Sequence, residues 1–276
     1  ASAVPVRGQV LPVVAPVAPP DLTALLGDRE ARVRRRAALA IGRAGLADGV
    51  APLLPILASD PDPEVRQMAA FALGLIADRS AFDPLVAALA DPAPVVRGSA
   101  AEALGVLGDA AAAAPIAKMA AAVVASGVLS TPPADTVEAA RDTPAAAFRF
   151  AVFALTRLKA YDALAGLVLD PTGQPRVRWW PVASALQRLE DPRALPALLA
   201  LLKEPHPYTR AFAAKGLGAM KDPSAAAALL PLVTDGNRAV AIEAIRSLAR
   251  LGDRSAGPVL LRLAQNATTE PHVRLE

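Results

Sequence analysis

The sequence predicts an all-α fold: an α-solenoid (α-α superhelix) of about seven to eight stacked helix pairs. Three observations lead there. A segment recurs along the chain with a period near 31 residues. Of the 276 residues, 54% are hydrophobic but only 4% aromatic, so the apolar content is mostly alanine with leucine and valine. That mixture favours helices and lets them approach closely. Asp-Pro steps punctuate the chain where one helix would stop and the next begin.

The recurring segment is an acidic residue, a short proline-rich turn, Val-Arg, a run of small residues and Ala-Leu-Gly. Its copies run Asp28…Val33-Arg34…Ala40-Ile41-Gly42, Asp60…Val65-Arg66…Ala72-Leu73-Gly74, Asp91…Val96-Arg97…Ala103-Leu104-Gly105 and Glu204…Thr209-Arg210…Gly216-Leu217-Gly218. Aligned on the arginine, the register positions are Arg34, Arg66, Arg97, Phe148, Trp179, Arg210, Ala241 and Arg274, in steps of 32, 31, 51, 31, 31, 31 and 33 residues. The step of 51 equals one repeat plus an insertion, placed near 123–142. Ser126-Gly127 and Thr131-Pro132-Pro133 mark part of that insertion as loop.

Each copy reads as helix A, turn, helix B. Helix A is expected over Gly49–Ala58, Ala81–Ala90 and Arg193–Lys203, and helix B over Pro63–Ile76, Pro94–Leu107 and Pro207–Met220. Asp191-Pro192 and Asp222-Pro223 each suit an N-cap followed by proline at the first helical position. Helices this short draw their stability from stacking on neighbours. Residues 1–20 form a Val/Pro-rich tail of the kind that follows a cleaved secretory signal, and the solenoid occupies 21–276. The last copy has only begun at Val273-Arg274, so it is expected to be truncated, which leaves room for a further C-terminal domain in the natural protein.

These motifs resemble HEAT repeats, in particular the short bacterial class found in phycobilin lyases, from about Asp21 to Arg274. The resemblance implies a structural ladder along the inter-helix turns built from Asp28 and Arg34, Asp60 and Arg66, Asp91 and Arg97, and Glu204 and Arg210, with Arg66 bonding Asp60 or Asp91 and Arg97 bonding Asp91 or its neighbour. Phe148, Trp179 and Ala241 replace the arginine in three copies, leaving Asp142 and Asp235 without their expected partners. It also implies that the B helices line a concave face.

The chemistry-bearing residues are sparse. Without cysteine there is no disulfide, thiolate nucleophile or cysteine metal site. The two histidines, His206 and His272, lie two repeats apart and outside the His-Glu motif of metal-binding HEAT-repeat hydroxylases. There is no Gly-x-Ser-x-Gly, and Gly216-Leu217-Gly218 fits no phosphate loop. No catalytic residue, metal or cofactor is therefore expected, and the chain reads as a non-enzyme. A net charge of +3 is far from the dense positive field of a nucleic-acid binder. No apolar run reaches the ~18–20 residues of a membrane span.

The aromatics carry more information. Phe148, Phe150, Phe153, Trp179, Trp180, Tyr208 and Phe212 fall on or beside three consecutive B helices. On a helical template Arg35, Phe71, Arg149, Phe153, Arg157 and Trp180 share an arc turned away from the Val/Leu stripe. Together they are the candidates for an arginine–aromatic groove that holds a protein or peptide partner. Phe148 and Trp179, at the ladder position itself, read instead as gap-fillers. Two HEAT-like enzyme families are the alternatives: phycobilin lyases, and DNA alkylpurine glycosylases, whose groove residues Arg178, Trp179 and Trp180 superficially match. The cysteine-free composition and the tail point to a periplasmic or secreted protein, with the cytoplasm as the other possibility.

Overall fold

The computed structural model describes residues 20–131, 142–252 and 254–276. The Val/Pro-rich tail up to residue 19, and residues 132–141 of the expected insertion, lie outside these residues.

Among the described residues the chain folds as sixteen α-helices packed in sequential pairs. The A helices are α1 (Pro20–Ala24), α3 (Val50–Ser59), α5 (Phe82–Ala88), α7 (Ala113–Ala125), α9 (Tyr161–Val168), α11 (Leu195–Leu201), α13 (Ala226–Leu229) and α15 (Gly257–Gln265). The B helices are α2 (Ala31–Ala44), α4 (Pro63–Ile76), α6 (Pro94–Leu107), α8 (Pro144–Arg157), α10 (Trp180–Leu189), α12 (Pro207–Met220), α14 (Arg238–Leu251) and α16 (Pro271–Leu275). This is the predicted α-solenoid: seven pairs and a short eighth. No helix among the described residues is long and apolar enough to cross a membrane.

Helices α4, α6 and α12 have the bounds the sequence predicts. Proline at the first position presets the helical φ, and a left-handed residue just past the end (Ala77, Gly108 or Lys221) stops the helix. The expected Gly49–Ala58 is observed as Val50–Ser59, of the same length, whereas the other two expected A helices are shorter, because an aspartate closes a tight turn before each. Asp78, Asp109, Asp191 and Asp222 accept the N–H two residues on at 2.8–3.0 Å, which winds the first turn as a 3-10 helix. The expected Ala81–Ala90 thus becomes Phe82–Ala88, and Arg193–Lys203 becomes Leu195–Leu201. The insertion also begins later than expected. Helix α7 runs through Val123 to Ala125, and both Val123 and Leu129 are buried.

The core is one continuous strip. Val65, Ala69, Leu73 on α4 and Val96, Ala100, Leu104 on α6 are fully buried at helical spacing. Successive B helices meet at glycine. A Cβ on Gly74 would lie 2.8 Å from the Ala103 Cβ, and one on Gly105 would lie 2.9 Å from the Ala154 Cα. Glycine is what permits that approach.

The arginine ladder forms, and of the two partners expected for Arg66 the carboxylate is that of Asp91, in the next repeat. Arg66 donates from Nη1 to the Asp60 carbonyl at 2.7 Å, and from Nε and Nη2 to the Asp91 carboxylate at 2.7 and 2.9 Å. Arg34 does the same with the Asp28 carbonyl and the Asp60 carboxylate, and Arg210 with the Glu204 carbonyl and the Asp235 carboxylate. The residue six positions earlier thus contributes its backbone, and the carboxylate comes from the next repeat. Asp235 is consequently gripped although its own repeat lacks the arginine. Asp142 accepts the Val95 N–H at 2.8 Å instead. Arg97 donates to the Asp91 and Pro92 carbonyls at 2.7 and 2.9 Å. Where Trp179 stands at the ladder position, the preceding Arg178 reaches the Glu204 carboxylate at 2.7 Å.

Burial is the largest single influence on the Asp60, Asp91 and Asp235 carboxyls and pushes each upward. The arginine hydrogen bonds, a backbone N–H and the nearby positive charge together outweigh it and hold all three below the usual range. A lowered carboxyl contributes stability above its unfolded value, near 3.9, that is lost as pH falls through the folded value.

Two outcomes follow for unfolding experiments. Gly74→Ala should destabilise by about 1–3 kcal/mol, because the Ala103 backbone cannot yield. The control Gly166→Ala on α9, where nothing lies within 4 Å, should gain roughly 0.5–1 kcal/mol of helix propensity. For the ladder, Arg66→Ala/Asp91→Ala should cost less than the sum of the two single variants, by at least about 1 kcal/mol, since either single change strands a charge that is nine-tenths buried. The coupling should fade below about pH 4 in urea titrations.

Candidate functional site: a pocket between the central B helices

The glycine that seats one B helix on the next is missing in three copies, two of them consecutive. The positions equivalent to Gly105 are Thr156 on α8, Gln187 on α10 and Ala249 on α14. Thr156 turns its hydroxyl back to the Val152 carbonyl at 2.7 Å, a side-chain bond that glycine could not make. Helix α10 also starts late, at Trp180, and has 10 residues where α4, α6, α8, α12 and α14 have 14. Helices α8 and α10 consequently meet less extensively than the other B neighbours up to α14.

Aromatic rings take up the slack at the N-terminal ends of these two helices. Phe148 and Trp179, both buried, stack at 6.3 Å, which is the gap-filling role expected of them. Trp180 stacks on Phe212 at 6.0 Å and tilts against Phe153 at 6.1 Å. Ring pairs at these separations add roughly 0.5–1.5 kcal/mol each beyond burial.

Towards the C-terminal ends the space stays open as a pocket of about 440 Å³. Glu102 and Val106 of α6 form one wall. Phe150, Phe153, Thr156 and Arg157 of α8 form the floor, with Lys159 just beyond that helix, and Ser184 and Arg188 of α10 form the far wall. Arg157, Lys159 and Arg188 make no ion pair with any described residue and are exposed. Lys159 is held at φ 55°, a left-handed conformation that costs about 1 kcal/mol in a non-glycine residue. Glu102 is the one carboxylate. Burial pushes it above its ordinary value, against the opposing pull of the Arg157 charge.

Of the six groove residues the sequence singles out, Phe153 and Arg157 line this pocket. Trp180 is half-buried behind Phe153, so it props the wall rather than projecting from it. Arg149 lies over the Phe150 ring at 5.7 Å, beside the pocket. Phe71 is half-buried on α4, and Arg35 on α2 is paired with Glu64, so the structure brings neither to the site. That pair spans two adjacent B helices, α2 and α4. The Arg178–Trp179–Trp180 run is likewise committed: Arg178 to Glu204, the two rings to stacking. Glu102, Lys159 and Arg188 escaped the sequence reading. The signal that points to them is the loss of glycine in two consecutive copies, after Leu155 and Leu186, where four other copies have Gly42, Gly74, Gly105 and Gly218 and a fifth has Ala249.

Glu102 gives a stability test whose sign is opposite to that of the ladder. Its folded value lies above the unfolded one, so ionisation costs stability at neutral pH, and the cost is relieved as pH falls through the folded value. Glu102→Gln should raise the unfolding midpoint at pH 7, by less than about 1 kcal/mol because solvent screens the open side. The gain should shrink towards pH 4–5 in thermal scans.

Comparison with known proteins agrees with this architecture. The family of HEAT repeats matches residues 50–128 and 195–275, and the PBS lyase HEAT-like repeat matches residues 182–204. No curated protein matches the sequence. Among solved structures, the complex of CpcE and CpcF of phycocyanin lyase from Nostoc is similar at 24% identity and a TM-score of 0.51, over 89% of this chain and 98% of that one. YibA of Escherichia coli is similar at 22% identity and a TM-score of 0.61, over 91% of this chain and 88% of that one. Identities this low show a shared fold. With the repeat family covering more than half of its length and the helix pairs stacked as that family stacks them, the chain belongs to the HEAT-repeat proteins.

Proposed function

We propose that this chain is a non-catalytic scaffold that binds a protein or peptide on its B-helix face. The observation that carries the reading is the pocket itself. It is built from side chains of three B helices and the residue after α8, where the B stack loosens at the centre of the chain, with exposed cations over an aromatic floor. Aromatic and arginine side chains supply most of the binding energy at protein interfaces. A slot flanked by regular repeats is where a partner gains most contact without disturbing the core. The cysteine-free composition supports a periplasmic or secreted setting.

The test is face-selective photo-crosslinking in extracts of the periplasm and of the cytoplasm. A benzoylphenylalanine replaces Phe153 in one variant and the exposed Lys118 of α7 in another. Capture is expected from position 153, from the periplasmic extract, and should fall at least about tenfold when Arg157→Ala is added. Equal capture from both positions would remove the B-helix face as the site.

A further inference from the structure

The pocket also indicates what kind of segment it would receive. Its lining is electrically lopsided: Arg157, Lys159 and Arg188 converge from two helices and the turn after α8, against the single carboxylate of Glu102. Several arginines elsewhere in the stack are consumed. Arg34, Arg66, Arg178 and Arg210 each hold a carboxylate of the next repeat. The three pocket cations hold none among the described residues, so their charge is available to something from outside. The floor beneath them is apolar, made by Phe150 and Phe153.

We propose, resting on the scaffold reading above, that the pocket takes an acidic side chain of a partner polypeptide, with an adjacent apolar or aromatic residue seated on Phe150 and Phe153. Charge complementarity selects the acid: three cations against one carboxylate leave a net positive rim, and arginine can bind a carboxylate through two parallel bonds. Geometry favours a chain over a compact ligand. The aromatic strip continues from Phe153 through Trp180 to Phe212, across α8, α10 and α12. With successive ring centroids 6.1 and 6.0 Å apart, the end rings lie at most about 12 Å from one another, the length of roughly three to four extended residues. Glu102 sits on the opposite wall, where it repels a second acid and accepts a backbone N–H. The site therefore distinguishes an isolated acid beside a ring from a uniformly acidic run.

The experiment pans a random twelve-residue peptide phage library on the purified chain, then measures the enriched peptides by fluorescence anisotropy. The expected consensus pairs one Asp or Glu with a neighbouring aromatic or large aliphatic residue. Replacing the acid by its amide should weaken binding about tenfold, and affinity should fall as salt is raised. Arg188→Gln should weaken binding several-fold, whereas Glu102→Gln should leave it equal or tighter. Lys159→Gly separates folding from recognition: glycine relieves the left-handed strain, so the protein should be at least as stable while binding more weakly. Enrichment of neutral or basic peptides, or weaker binding in Glu102→Gln, would overturn the acid assignment and leave the scaffold reading standing. No enrichment at all would overturn both.

Discussion

The contact of each B helix with the next sets the rest of this structure. It depends on a residue without a side chain at one point per repeat, so that Gly42, Gly74 and Gly105 lie against Ala72, Ala103 and Ala154 of the following B helix. At that separation the Val/Ala/Leu stripes of successive repeats merge into one strip of buried side chains. Helices of four to fourteen residues are marginal alone, so in each pair stability comes from this lateral burial. Alanine is abundant because anything larger would hold the helices apart.

The arginine fork solves a second problem, the polar turns between A and B helices. These turns place backbone carbonyls and a carboxylate near the core. Arg34, Arg66 and Arg210 satisfy both at once, with one nitrogen on a carbonyl of their own turn and two on the next carboxylate. The carboxylate in turn accepts a backbone N–H two residues on, at 2.8–2.9 Å for Asp60, Asp91 and Asp235. Each rung fixes the spacing between two repeats as well as the shape of one turn. The charges cost desolvation, which the matched geometry offsets.

Both devices lapse together in two consecutive copies at the centre of the chain, and once more on α14 with Ala241 and Ala249. Around α8 and α10 the seating glycine becomes Thr156 or Gln187, and the ladder arginine becomes Phe148 or Trp179. The aromatic pair rebuilds contact at one end of the two helices and leaves the other end open. The pocket is the geometric remainder. That arrangement ties the aromatic content to the site: the rings stand where the regular stack is interrupted, and the interruption opens the cavity.

The sequence by itself determined the helix pairs, the starts and stops of α4, α6 and α12, and the buried role of Phe148 and Trp179. Those features are local: proline, aspartate caps and the spacing of apolar residues act within one repeat. The identity of the arginines' partners was only half determined, because a spacing of six residues places an acid near Arg66 but does not say whether its backbone or its side chain is used. The stacked geometry decided that, by bringing the Asp91 carboxylate, 25 residues on, within 2.7 Å of the Arg66 Nε. The same holds for Arg35, outward-facing on a helical template yet neutralised by Glu64 of the neighbouring helix. Only the tertiary structure could assemble Glu102, Arg157 and Arg188 around one cavity, since they come from three repeats, and their meeting depends on how far apart α8 and α10 are held.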